Sequence, residues 1–214
     1  MKRLVFWIVF VAILACIVWG LGLAMNKQNH VKNLNAPAPI SASDHVTGSS
    51  TAPVTIIEYS DFQCPACEMY FPVTEKLMAD KPGVIRLIYR HFPLPQHANA
   101  HLAAQASEAA AAQGHFWEMY RLLFENHADW TELSDPRAVF DGYAAKIGLN
   151  MPAFKTALDA TSTISVVDAD LAEGVGLGID STPTFFVNGT AITNPQSYEA
   201  FKALVEKAAT SGSR

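Results

Sequence analysis

The chain has 214 residues, of which 50% are apolar and 16% are charged, with a formal net charge of −5. This length and apolar content suit one well-cored domain with appendages. The charge argues against a nucleic-acid surface, because without Lys2 and Arg3 the remainder from residue 26 onward stands at −7.

In chain order, positions 4–25 (LVFWIVFVAILACIVWGLGLAM) contain no charged residue, which at helical rise is enough to cross a bilayer. Gly22 and Ala24 offer small residues for a signal-peptidase site, but the run is long for a cleaved signal, and an uncleaved anchor is the expectation. Lys2 and Arg3 ahead of it bias the N-terminus toward the cytoplasm, so the rest faces the outer, periplasmic or extracytoplasmic side of the cell envelope. Cys16 sits within the apolar run, and polar residues do not follow it as they would in a lipoprotein. Residues 26–50 are polar, hold Pro37 and Pro39 and show no periodicity, so they are expected to form a flexible tether.

The domain itself is expected over 51–208, with a short tail at 209–214. Val54–Tyr59 reads as a buried strand, Cys64–Asp80 as a helix that Pro72 should kink, and Val84–Tyr89 as a second strand. The β-α-β unit should cross over right-handed. From about 97 to 177 the sequence turns to Ala-rich helical patterns, in which His115, Phe116, Trp117 and Tyr120 read as helix core. Gly174–Gly178 then reads as a flexible approach to Thr182-Pro183 rather than a nucleotide loop, since no strand precedes it. Thr184–Val187 restores strand character, Asn188-Gly189 supplies a type I′ hairpin turn, and a last amphipathic helix is expected from about Gln196 to Ala208. The fold class is therefore α/β: a small mixed sheet flanked by helices, with an inserted all-helical subdomain.

The chemistry concentrates in Cys64-Pro65-Ala66-Cys67, which falls at the first strand-to-helix junction. A helix N-terminus presents unpaired N–H groups and partial positive charge, which lower the pKa of a thiol placed there. Pro65 loses no hydrogen bond at the first helical position, and Cys67 lies one turn along, within reach of a disulfide. A static disulfide closing so short a loop restrains little of the unfolded chain. A second alternative is a Cys2His2 metal-binding module, because His97 and His101 stand at i, i+4. A proline at a strand-to-helix junction has no purpose in such a site.

These features together resemble the thioredoxin superfamily and, within it, DsbA-type thiol:disulfide oxidoreductases. Cys64-Pro65-Ala66-Cys67 matches the C-x-x-C, Pro72 matches the proline eight residues after the first cysteine, and Thr182-Pro183-Thr184-Phe185 matches the cis-proline loop. The helical insertion separates the DsbA branch from plain thioredoxin. Ala66 stands where the best-known members carry histidine.

The resemblance implies exchange of disulfides with cysteine-containing protein substrates. Cys64 would be the exposed nucleophile and Cys67 the more buried resolving thiol, with Thr182 and Pro183 docking substrate across a cis bond. It implies no cofactor beyond the redox-active pair and no metal. The expected direction is oxidation of exported proteins, with a membrane recycling partner of the DsbB or VKOR kind; a reductase or isomerase kept reduced by a membrane donor is the alternative. Glu58, in the middle of an apolar strand, matches the buried acid beneath such active sites. Burial should raise its pKa and let it exchange a proton with Cys67.

Overall fold

The computed structural model describes residues 10, 13–16, 19–20 and 34–211. The expected anchor over 4–25 lies largely outside these residues; among the described ones no helix is long and apolar enough to cross a membrane.

Strand β1 (His45–Gly48) is followed by β2 (Val54–Ser60), helix α1 (Pro65–Asp80) and β3 (Ile85–His91). Helices α2 (Ala100–Ala111), α3 (Phe116–Glu125), α4 (Arg137–Lys146), α5 (Met151–Leu158) and α6 (Thr161–Leu177) come next. Strands β4 (Thr184–Val187) and β5 (Thr190–Ala191) and helix α7 (Tyr198–Ser211) complete the chain. The sheet order is β1-β3-β2-β4-β5. Strands β2 and β3 are parallel, joined through α1, and the other pairs are antiparallel. The β4–β5 turn has Asn188 at φ 48° and Gly189 at φ 79°, the pair of positive angles that a type I′ turn needs.

Period-two alternation along β2 divides the core between the sheet's faces. Val54 and Ile56 pack with Leu77 of α1 and Phe201 and Val205 of α7. Ile57 and Tyr59 face the other way, with Ile88, Phe92 and Phe186. A third cluster joins Phe62 and Cys67 to the insertion, where Ala103, Ala106, Ala109 and Ala110 of α2 are buried with Phe116, Tyr120 and Trp130. The alanines allow α3, α5 and α6 to approach α2 closely.

Two expectations are corrected. The tether expected over 26–50 ends early, because His45–Gly48 pairs antiparallel with β3. Its polar composition hides a strand that is held by backbone hydrogen bonds and by Asp44, which accepts from Arg90 at 2.7 and 3.0 Å. Gly174 through Leu177 is helical rather than a flexible approach, and α6 ends at Gly178 in the left-handed region at φ 89°. Gly174 is there for packing: a Cβ on it would stand 2.5 Å from Phe92 Cδ2 and 3.3 Å from Tyr59 Cδ1.

Candidate active site

Cys64 is the N-cap of α1 and Pro65 its first residue. The Cys64 N–H donates to the Asp61 carbonyl at 3.1 Å, and its own carbonyl accepts from Glu68 at 3.1 Å. The segment before it is clamped from several sides. Asp61 Oδ1 accepts from the Gln63 N–H, while Oδ2 accepts from the Leu94 N–H and lies 2.6 Å from His97 Nδ1. The Gln63 amide donates to the Thr131 carbonyl and accepts from the Asn99 N–H. Beside this clamp opens a polar cleft of about 400 Å³, lined by Gln63, Pro65, His97, Asn99 and His127.

Both cysteines are free thiols. Cys64 is 6% exposed and Cys67 is fully buried. The expected exposed nucleophile is thus mostly covered, because the loop before β4 lies over it: the Cys64 thiol donates to the Thr182 carbonyl at 3.6 Å. The Thr182–Pro183 bond is cis.

The two sulfurs are electrostatically opposite. The hydrogen bond from the Cys67 thiol, helped by the Thr182 side chain and the N–H groups of Cys67 and Ala66, brings Cys64 down to about 5 against the opposing effect of burial. Thr182 Oγ1 is buried without a hydrogen-bond partner in the thiol form. Burial pushes the Cys67 thiol well up, and the neighbouring Cys64 and Glu58 push it further.

Glu58 is 2% exposed and flanked in register by Tyr89 of β3 and Phe185 of β4. Burial raises it to about 7, with the Ser60 hydroxyl the opposing influence. Its Oε2, Ser60 Oγ, Tyr89 OH and Tyr120 OH are buried without hydrogen-bond partners. Burial also raises both tyrosines, which feel Cys67 and Glu58, so they stay protonated. A patch of uncompensated polar groups therefore lies around the inner sulfur.

The residues singled out in the sequence, Glu58, Cys64, Cys67, Thr182 and Pro183, come from β2, the head of α1 and the loop before β4. The Cys2His2 alternative does not assemble. His97 is engaged by Asp61, and His101 Nε2 lies 3.0 Å from Asp168 Oδ1 on an exposed face. Among the described residues, metal-compatible grouping occurs elsewhere, without either cysteine. Sequence reasoning missed Asp61 and Gln63; a polar pair immediately before a C-x-x-C was the available signal.

A thiolate-stabilising helix start, a buried partner thiol and a cis-proline loop against the outer sulfur make a site chemically suited to thiol–disulfide exchange. Residues 41–207 match the family model described as Thioredoxin, and the chain belongs to that family. Oxidised BdbD from Bacillus subtilis superimposes with a TM-score of 0.73 at 25% identity, covering 83% of this chain and 99% of that one. Alpha-DsbA1 from Wolbachia pipientis shares the fold, with a TM-score of 0.72, 22% identity and coverage of 81% and 94%. Among curated relatives, the Na(+)/H(+) antiporter NhaA 3 of Salinispora tropica is 39% identical over 166 residues, or 77% of this chain. The chain spans about a quarter of the length of that relative, at 24%.

Proposed function

We propose that the chain is a DsbA-type thiol:disulfide oxidoreductase that works as an oxidant, forming disulfides in exported proteins on the outer side of the cell envelope. The observation that carries the direction is the place of Cys64 at the N-cap of α1, beside the Cys67 thiol, Thr182 and the first-turn N–H groups of Ala66 and Cys67, which favour its thiolate. Donors that stabilise a thiolate stabilise the reduced protein, and a stable reduced form makes its disulfide a strong acceptor of electrons.

In the forward reaction a substrate thiolate attacks Cys64 Sγ of the Cys64–Cys67 disulfide. An S–S bond forms to the substrate, and Cys67 leaves as a thiolate. Buried and high in pKa, it needs a proton, and Glu58 at about 7 is the group suited to deliver it. A second substrate thiolate then attacks the substrate sulfur of the mixed disulfide and expels Cys64, whose low pKa makes it a good leaving group. The substrate has lost two electrons and the Cys64/Cys67 pair has gained them. Thr182 and Pro183 would align the substrate strand over Cys64. Reoxidation runs the proton step backwards, with Glu58 accepting from Cys67, and hands the electrons to a membrane partner of the DsbB or VKOR kind. The charge-free run at 4–25 supports placement at the bilayer.

Equilibration of the pair in glutathione buffers tests the direction. The account expects a potential well above thioredoxin's, which is about −270 mV, and toward the ~−120 mV of DsbA. A value at or below about −270 mV would assign the protein to the reductases instead.

A further inference from the structure

His45 opens β1, His91 closes β3 and Glu108 lies in the third turn of α2. The fold brings these three distant residues to one point: His45 Nε2 and His91 Nε2 both meet the same oxygen, Glu108 Oε1, at 2.5 and 2.7 Å. The three donor atoms all lie within 4.8 Å of one another. The side chains of His45, His91 and Glu108 are 15%, 1% and 9% exposed.

We propose that His45, His91 and Glu108 form a binding site for a divalent first-row transition-metal ion, with zinc as the reference ion. Two imidazole nitrogens and a carboxylate oxygen are the donors such ions take, whereas calcium and magnesium require oxygen shells. The ring planes are set before any ion arrives. His45 is stacked on Phe116 with centroids 3.5 Å apart and planes 4° from parallel, and His91 is packed edge-on against Tyr89 and Phe116. Glu108 accepts from His91 Nε2 at 2.7 Å, whereas His91 Nδ1 has no hydrogen-bond partner, so an ion that takes up Glu108 and Nε2 would move the ring proton to Nδ1.

Charge favours the same ligand. Asp170 accepts the His91 N–H at 2.9 Å and stands within electrostatic reach of His91 and Glu108. A dication between two neutral imidazoles would balance the two carboxylates. Metal–ligand bonds of about 2.0–2.1 Å in a tetrahedral site place donors roughly 3.3 Å apart, so Glu108 has to withdraw by less than about 1 Å. The ion would then tie β1 and the end of β3 to the helical insertion. His91 pairs in register with Ser60, so the cross-link would lie close behind the strand that leads to Cys64.

The experiment uses the full chain with its three cysteines replaced by serine, which removes thiol ligation and makes the outcome independent of the redox reading. Zinc titration by calorimetry, together with the visible spectrum of the cobalt(II) form, should show one ion per chain and a rise in Tm. Glu108→Gln and His45→Ala should each weaken binding by at least about tenfold and abolish the rise in Tm. If Glu108→Gln does not fold, as judged by circular dichroism, His45→Ala on the edge strand decides alone. Failure to saturate at ~100 µM zinc, or equal affinity in the variants, would overturn the proposal.

Discussion

Two neighbouring register pairs across β2 and β3 show opposite treatments of buried charge. Tyr59 sits opposite Arg90, and Glu58 sits opposite Tyr89. On the Arg90 side everything is compensated: the guanidinium reaches both oxygens of Asp44, both oxygens of Glu173, Tyr59 OH and the Ala38 carbonyl, at 2.7–3.3 Å. One residue along, on the other face, Glu58 Oε2 and the hydroxyls of Ser60, Tyr89 and Tyr120 have no partner at all. A saturated network fixes geometry, holding β1 and α6 to the sheet. The unsaturated one leaves Glu58 with a proton affinity near neutrality, where a thiol reaction could use it.

The largest effect should come from breaking the saturated side. Arg90→Met leaves Asp44 and Glu173 without their cation and should cost about 3–5 kcal/mol, lowering Tm by roughly 10 °C. Exchange rates of the protein that remains folded should hardly change. A loss of exchange without a loss of stability would dissolve the contrast between the two sides.

Glu58→Gln should do the reverse. A carboxyl whose folded pKa, about 7, lies above its unfolded value contributes stability that is complete below the unfolded pKa of ~4.3 and is lost as pH rises through 7. The variant escapes that loss, so it should match the parent near pH 4 and exceed it at pH 8.5 by about 3 kcal/mol. It should also slow the steps in which Cys67 gains or loses its proton by about 100-fold. Denaturant melts across pH and stopped-flow decay of the mixed disulfide measure the two; parallel pH profiles for variant and parent would leave Glu58 a structural residue.

Gly174→Ala is the mildest of the three. Its methyl would press on Phe92 and push back the helix turn that carries Glu173 to Arg90, for about 1–3 kcal/mol. Thermal melts should show this drop with the Cys64 thiol undisturbed.

The uneven legibility of the chain follows the same division. Strands β2 and β4, helix α1 and the hairpin turn are dictated by local pattern: β-branched runs, Pro65 inside a helix start, Asn188-Gly189. Cys64, Cys67 and Glu58 could be placed in the strand and at the start of the helix that follows it because local pattern sets both elements. Strand β1 could not, because His45–Gly48 owes its shape to pairing with β3, some forty residues away in sequence. Gly174 resembled a loop residue because a glycine required for close helix-to-sheet contact carries the same letter as one required for a turn. The convergence of His45, His91 and Glu108 has no local signature, since each residue belongs to a different element. Burial of Cys64 was hidden likewise, being imposed by Thr182 from the far end of the domain.

The central claim, that one fold splits the two cysteines into a ready thiolate and a retained thiol, is tested most directly by titrating thiolate absorbance in the reduced protein with Cys16 replaced by serine. The account predicts a single thiolate appearing with a midpoint at about pH 5, with the second still protonated well above neutrality. A first midpoint near the ordinary thiol value of ~8.5 would contradict it.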